Sequence, residues 1–379
     1  MDRAIVLWKA QHEPCTAETL SFLKTLQKSY VVYGDMLLLP STAYATGPTH
    51  GQHHESLGMQ PEGQDKLYAT IATQMKITHI ATTRPIPLSS QDGQYTRDNV
   101  LRSPSGFQPL HGDFGPSACA DPPTVEDFNA AYWVTAKQNG IYQTWAPRWT
   151  MFSRGNVSEK ARVLTLPSVL SAVADNEARG CAAVDLYAGI GYFTFSYLKA
   201  GVSKVLCWDL NPWSTEGLMR GAKANKWKAE KVDDASMADL ARWCEDDDVR
   251  ALVFNDDNTK AGQVIEDFRS SLPPIRHVNC GLLPTSKGSW ETAVQVLDDG
   301  YDGWLHVHEN FAVVEIAEKA EEVRKEMEEL VAERTVSRYG QGSVERRLVK
   351  VAHVNRLKSY APGVMHCVLD IYIPKYAPS

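Results

Sequence analysis

Val184-Asp185-Leu186-Tyr187-Ala188-Gly189-Ile190-Gly191-Tyr192-Phe193 follows a short apolar run and precedes a helical pattern. It therefore reads as strand, glycine turn and helix, the opening of a nucleotide-binding α/β unit. The glycines let the backbone approach a ligand without a Cβ clash. The helix behind them offers free N–H groups and the positive end of its dipole. Asp185, at the strand tip, is placed to receive a donor. Lys204 to Trp208 is the next strand, and Asp209 stands at its end, about 20 residues beyond the turn, where such folds hold ribose hydroxyls. Asn211-Pro212 then opens a helix. An incidental glycine turn and an exposed turn aspartate are the plain alternatives. The spacing between the two signals weighs against both.

The turn is D-x-x-A-G-x-G rather than G-x-G-x-x-G, which favours S-adenosylmethionine (SAM) over a dinucleotide. Further along, apolar runs at 250–254, 275–280 and 303–308 alternate with helical patterns, as 181–185 and 204–208 do, so a mostly parallel sheet is expected. A long helix is predicted over 311–333, with Ile316, Val323 and Leu330 as its apolar stripe. Arg347–His353 and His366–Ile373 read as an antiparallel edge. Glu245 to Asp248 looks like an exposed acidic insertion.

Before this, the pattern differs. Residues 1–28 look mostly helical, 30–39 form a hairpin around Gly34-Asp35, 66–76 are helical and 77–81 a strand. Residues 40–64 and 84–125 are rich in turn formers and read as loops. The fold class expected is α/β: a Rossmann-like SAM-dependent transferase domain over 146–379, preceded by a smaller α+β domain over 1–145.

With 379 residues, 43% hydrophobic and 22% charged, the chain has the composition of a globular protein of about two domains. It contains no 18-residue apolar run, and its first apolar run is short for a secretory signal, so a cytoplasmic protein without a membrane span is expected. The seven cysteines form no C-x-x-C pair and read as structural thiols, with no zinc site. His306 and His308 would share one face of a strand, with no third metal ligand nearby; no metal is expected. The net charge of −7 argues against a general nucleic-acid binder, but Arg334, Arg338, Arg346, Arg347, Lys350, Arg356 and Lys358 face only Glu345 in their segment. Arg220 to Lys231 holds a second basic run. A solvated face is the bland explanation of both.

Several motifs together carry a resemblance that covers most of the chain. They are Tyr33-Gly34-Asp35, Met151 to Lys160, the glycine turn, Asp209-Leu210-Asn211-Pro212, Asn279 to Pro284, His306 to Asn310 and Lys358-Ser359-Tyr360-Ala361-Pro362. The chain resembles the family that joins the tRNA position-37 guanine N1-methyltransferases with the wybutosine-synthesising aminocarboxypropyltransferases. The methyltransferase branch carries Pro-Arg-Leu, its Arg steadying the guanine, where this chain has Arg154-Gly155-Asn156; Gly155 cannot do so, and the Arg154 side chain would point elsewhere. The Asn279–Pro284 motif is also longer than that branch's Asn-Leu-Pro. Both differences point to the aminocarboxypropyl branch.

The resemblance implies that Ser153 and Lys160 hold the methionine portion of SAM, with Lys160 on its carboxylate. It implies that Asp185 and Gly189 shape the cofactor turn, that Asp209 takes the ribose, and that Asp257 and Asn258 lie near the adenine. Asp233-Asp234 competes with Asp257, whose alignment needs an insertion in 229–248. Asn279 is the candidate to orient the acceptor base, and His308 a weaker one. Tyr187, Tyr192 and Phe193 are candidate platforms for a splayed base, with core packing the alternative for Phe193. The implied partner is the anticodon loop of phenylalanine tRNA, gripped by the first domain and the basic C-terminal segment. Implied too is transfer of the aminocarboxypropyl group to a carbon of the tricyclic wyosine precursor, with release of 5′-methylthioadenosine. Which carbon of the sulfonium reacts is then a matter of positioning. The rivals are an N1-methyltransferase of the same fold, a non-catalytic tRNA-binding subunit, and a small-molecule methyltransferase.

Overall fold

The computed structural model describes residues 1–12, 15–40, 61–84, 101–175, 180–340 and 347–376. The chain divides into two compact units, Met1–Lys137 with Thr144–Phe152, and Gln138–Gln143 with Ser153–Ser379.

In the first unit, helices α1 (Asp2–Lys9) and α2 (Ala17–Lys28) precede β1 (Val31–Tyr33) and β2 (Met36–Pro40). Then come α3 (Pro61–Met75), β3 (His79–Arg84), β4 (Ser105–His111) and α4 (Val125–Ala130). The Thr16 hydroxyl caps α2 by accepting from the Thr19 N–H at 3.1 Å. The expected hairpin is β1–β2, and β3 pairs parallel to β2 and antiparallel to β4. Ile5, Trp8, Leu23, Leu39, Leu67 and Ile71 pack together as the core. β4 falls within the stretch read as irregular; residues 41–60 and 85–100 of the two expected loops lie outside the described residues. The hairpin β5 (Val134–Gln138) and β6 (Ile141–Trp145) follows, its tip belonging to the second unit.

The second unit begins with α5 (Val157–Val163) and α6 (Pro167–Ala174). It continues through β7 (Ala182–Asp185), α7 (Thr194–Ala200), β8 (Lys204–Trp208), α8 (Pro212–Ala224), β9 (Lys228–Val232), α9 (Leu240–Glu245) and β10 (Val249–Phe254). The remainder is α10 (Ala261–Phe268), β11 (Ile275–Cys280), α11 (Trp290–Val296), β12 (Gly303–Ala312), α12 (Ile316–Tyr339), β13 (Lys350–Ala361) and β14 (Val364–Ile373). Among the described residues these strands form one sheet in the order β13-β14-β12-β11-β7-β8-β10-β9. Every pair is parallel except those of β14, which runs antiparallel to both neighbours. β7 is buried along its whole length, as a central strand covered on both faces must be. Phe195, Leu198, Leu218 and Val163 of α7, α8 and α5 cover one face. Ile265, Ala293, Val323 and Met327 of α10, α11 and α12 cover the other.

Three expectations change. β12 runs to Ala312, because Asn310, Phe311 and Ala312 continue the ladder against His366, Met365 and Val364; the long helix therefore starts at Ile316. The supposed 229–248 insertion contains β9, which pairs with β10, and α9. Part of the basic C-terminal segment is structural: Arg347, Arg334 and Arg338 converge on Asp299 at 2.7, 3.1 and 3.7 Å. Glu345 and Arg346 lie outside the described residues. All seven cysteines are free thiols, five of them buried. No described helix is long and apolar enough to cross a membrane.

Candidate active site

The sheet's strand order reverses between β7 and β11, and the crevice at such a switch point, beyond the carboxyl ends of the strands, is where open α/β sheets bind ligands. The glycine turn sits there. Gly189 has φ +55°, and a Cβ on it would stand 2.8 Å from the Tyr192 ring, so both backbone and neighbour demand glycine. Its N–H donates to Asp209 Oδ2 at 2.8 Å.

Asp209 is half-buried at the tip of β8. Oδ1 accepts from the Asn211 N–H at 2.9 Å. Burial pushes its pKa up to about 6, against the pull of these two N–H groups. Each carboxylate oxygen accepts more than one hydrogen bond, so the group retains acceptor capacity for a pair of hydroxyls. Asn258 lies on the same side, donating from Nδ2 to the Leu186 carbonyl at 2.8 Å. Asp257 is exposed and caps a short 3₁₀ turn, accepting from the Thr259 N–H at 2.9 Å and hydroxyl at 2.8 Å; the Thr259 N–H is the main reason its pKa is lowered. Asp233 likewise closes a turn, on Ser236, and is exposed.

Lys160, on α5, is 2% exposed. Its ammonium donates to Gln138 Oε1 at 2.6 Å and Gln143 Oε1 at 2.8 Å, and lies 5.5 Å from the Tyr192 ring centre. Burial pulls its pKa down to about 8. The Tyr192 hydroxyl accepts from the Ser153 N–H at 3.0 Å, bringing the segment before α5 to the glycine turn. A ligand that couples a ribose to a carboxylate finds both partners here: Asp209 for the hydroxyls, and a buried cation bonded to neutral amide oxygens for the acid. SAM fits this donor set.

Two of the expected site residues, Asp185 and Asn279, bond to each other. Asp185 is fully buried. Its Oδ2 accepts from the Thr194 N–H at 3.1 Å and hydroxyl at 2.8 Å, and its Oδ1 from Asn279 Nδ2 at 3.0 Å. Burial raises its pKa, and these bonds oppose the rise. Asp185 therefore fixes the helix entry behind the turn from inside. Asn279 is 1% exposed and spends its amide on Asp185, which ties β11 to β7. It supports the switch point. Among the aromatic candidates, Phe193 is core, with its ring edge-to-face with His308 at 5.0 Å, while Tyr187 and Tyr192 are half-buried.

Sequence reasoning missed the parts that hold Lys160. Gln138 and Gln143 come from the β5–β6 hairpin and carry no local signal. α5 is anchored through Arg162, which grips Glu159 at 2.6 Å and Asp370 of β14 at 2.6 Å. Asp370 also accepts from His306 Nδ1 at 2.8 Å, and His306 Nε2 meets His277 Nδ1 at 3.1 Å. Burial would raise Asp370's pKa, but Arg162 and His306 hold it well below the usual carboxylate range. The H-x-H pair thus serves a buried anchor at His306, while His308 Nδ1 pairs with His366 Nε2 at 3.0 Å. The Arg154 side chain lies outside the described residues.

No family model matches the chain. It is 35% identical over 342 residues to tRNA wybutosine-synthesizing protein 2 of Schizosaccharomyces pombe, covering 90% of this chain and 72% of that one. It is 32% identical over 311 residues to the Saccharomyces cerevisiae protein of the same name, with 78% of this chain and 60% of that one covered. In fold it matches the crystal structure of P. horikoshii TYW2 in complex with MeSAdo, with a TM-score of 0.57 at 19% identity over 99% of both chains.

Proposed function

Because the chain belongs to the tRNA wybutosine-synthesizing protein 2 family, we infer that it is a SAM-dependent tRNA aminocarboxypropyltransferase. Its substrate is the tricyclic wyosine precursor at position 37 in the anticodon loop of phenylalanine tRNA. The observation that carries this reading is the buried Lys160 ammonium, seated between two amide oxygens beside the glycine turn. It supports a cofactor held by its amino-acid arm as well as by its ribose.

SAM supplies a sulfonium whose γ-carbon is electrophilic and whose departure leaves a neutral thioether. The ring carbon of the precursor forms the new C–C bond, the Cγ–S bond breaks with its electron pair going to sulfur, and the ring proton passes to water. Lys160 and Ser153 hold the arm and Asp209 holds the ribose. The turn at Gly189 brings the backbone close to the ligand. Asp185, Asn279 and the Arg162–Asp370 anchor keep these groups in register. Selecting the γ-carbon over the methyl group is then a matter of aim, which a rigid grip on both ends of the cofactor provides. The first unit is proposed to contribute to gripping the tRNA.

The test is mass spectrometry of the position-37 nucleoside after incubation with SAM, using tRNA stalled at the tricyclic precursor and tRNA with unmodified guanine in parallel. Gain of the aminocarboxypropyl mass with release of methylthioadenosine is expected. A methyl gain on the guanine tRNA, with release of S-adenosylhomocysteine, would refute the assignment.

A further inference from the structure

The roles above leave Lys358 of β13 unused. β13 runs parallel to β12, so Lys358 emerges at the same carboxyl edge of the sheet as the glycine turn. Its ammonium fills the space beside Gly155: a Cβ on that residue would collide with both the nitrogen and its stem. The amine donates to Asn156 Oδ1 at 3.3 Å, a long bond to a neutral oxygen. Burial lowers its pKa.

The sheet face beside it is short of partners. His366, opposite Lys358 in the ladder, is fully buried, and its Nδ1 has no hydrogen-bond partner among the described residues. The same holds for Nε2 of His308, which is 1% exposed, and for both amide atoms of Asn310, opposite His366. Native interiors rarely leave such groups unpaired, and here they gather along one edge next to a cation. Burial pulls both histidines down to about 3, so they are neutral and do not repel it. β13 lies four strands from β7 and on the opposite side from β8, which at 4.8 Å per strand puts its tip about 19 Å from the turn. Lys358 reaches back from there to Gly155 and Asn156, in the segment whose Ser153 N–H meets Tyr192 of the glycine turn.

We propose that the Lys358 ammonium, seated on Gly155, is an anion-binding position on the acceptor side of the site. It takes an anionic oxygen, supplied by a backbone phosphate of the acceptor tRNA. This rests on reading the site as that of a SAM-dependent tRNA transferase.

The test compares wild type with Lys358→Met, Gly155→Ala and the double variant. Binding is measured to tRNA between 50 and 200 mM salt, to S-adenosylhomocysteine and to methylthioadenosine. Loss of a charge-assisted contact predicts about tenfold weaker binding of one anionic ligand. If the anion is phosphate, tRNA weakens, its log–log salt slope becomes shallower by about 0.7, and the small ligands are unaffected. Weaker S-adenosylhomocysteine with unchanged tRNA and methylthioadenosine would place Lys358 on the cofactor's carboxylate instead and overturn the proposal. Gly155→Ala keeps the lysine but closes its seat, so it produces the same loss, and the double variant is no worse than either single one. Lys358→Arg, with charge retained, recovers part of the affinity. Wild-type affinity of Lys358→Met for both tRNA and S-adenosylhomocysteine overturns the proposal, as do losses that multiply in the double variant. Wild-type protein that leaves precursor tRNA unmodified overturns the functional reading instead, and the binding measurements still decide the anion position.

Discussion

Raising the pH should release the cofactor's amino-acid arm while leaving its adenosine bound. Lys160 has a pKa of about 8 because it is buried. A carboxylate brought beside it favours the charged form, so binding raises that pKa, and affinity must fall as pH rises through the value of the free protein. If the arm pairs only with the ammonium, affinity scales as 1/(1 + 10^(pH − 8)). Between pH 7 and pH 9 that factor falls about tenfold, equivalent to about 1.4 kcal/mol. Isothermal titration calorimetry of S-adenosylhomocysteine over this range measures it. The ligand's own α-amino group titrates nearby, so the informative quantity is the ratio of wild-type affinity to that of Lys160→Met, which removes the protein's contribution. Methylthioadenosine lacks the arm and serves as the internal control; its affinity should stay level. A wild-type to Lys160→Met ratio that does not change with pH would refute the pairing of Lys160 with the carboxylate. So would an equal alkaline loss for methylthioadenosine. Holding the ammonium at about 8 rather than 10.5 costs the fold about 3 kcal/mol before any relaxation, a trade of stability for binding.

Other outcomes follow from the same geometry. Asp209, with a pKa of about 6, accepts ribose hydroxyls most strongly when ionised; methylthioadenosine affinity should therefore decline as pH falls below about 6, and Asp209→Asn should abolish that decline in calorimetry. Asp185→Ala strands the Thr194 N–H and hydroxyl and the Asn279 amide; urea unfolding should show a loss of about 2–4 kcal/mol, and an unchanged midpoint would contradict the positioning role. Gly189→Ala imposes a left-handed conformation on a residue with a Cβ and pushes on Tyr192; it should cost about 1–2 kcal/mol in thermal unfolding and weaken S-adenosylhomocysteine by shifting the ring that meets Ser153 and Lys160.

The parts of this protein legible in its sequence are those whose determinants are neighbours in the chain. The apolar run ending at Asp185, the glycines that follow it, and Asp209 closing the next strand specify a strand–turn–helix unit locally, because burial, positive φ and strand ends are properties of adjacent residues. What only the tertiary structure decided are the facts that depend on distant segments meeting. Asp185 and Asn279 look like ligands at strand tips, yet β7 and β11 lie side by side and turn these groups toward each other, 94 residues apart in sequence. Lys160 gains its meaning from Gln138 and Gln143 on a hairpin that shows no such role locally. Lys358 reaches Asn156 across 202 residues. Three arginines that look like an RNA-facing run close instead on Asp299. The direction a side chain faces in a sheet is set by register and by what packs against it, and neither exists until the strands have paired.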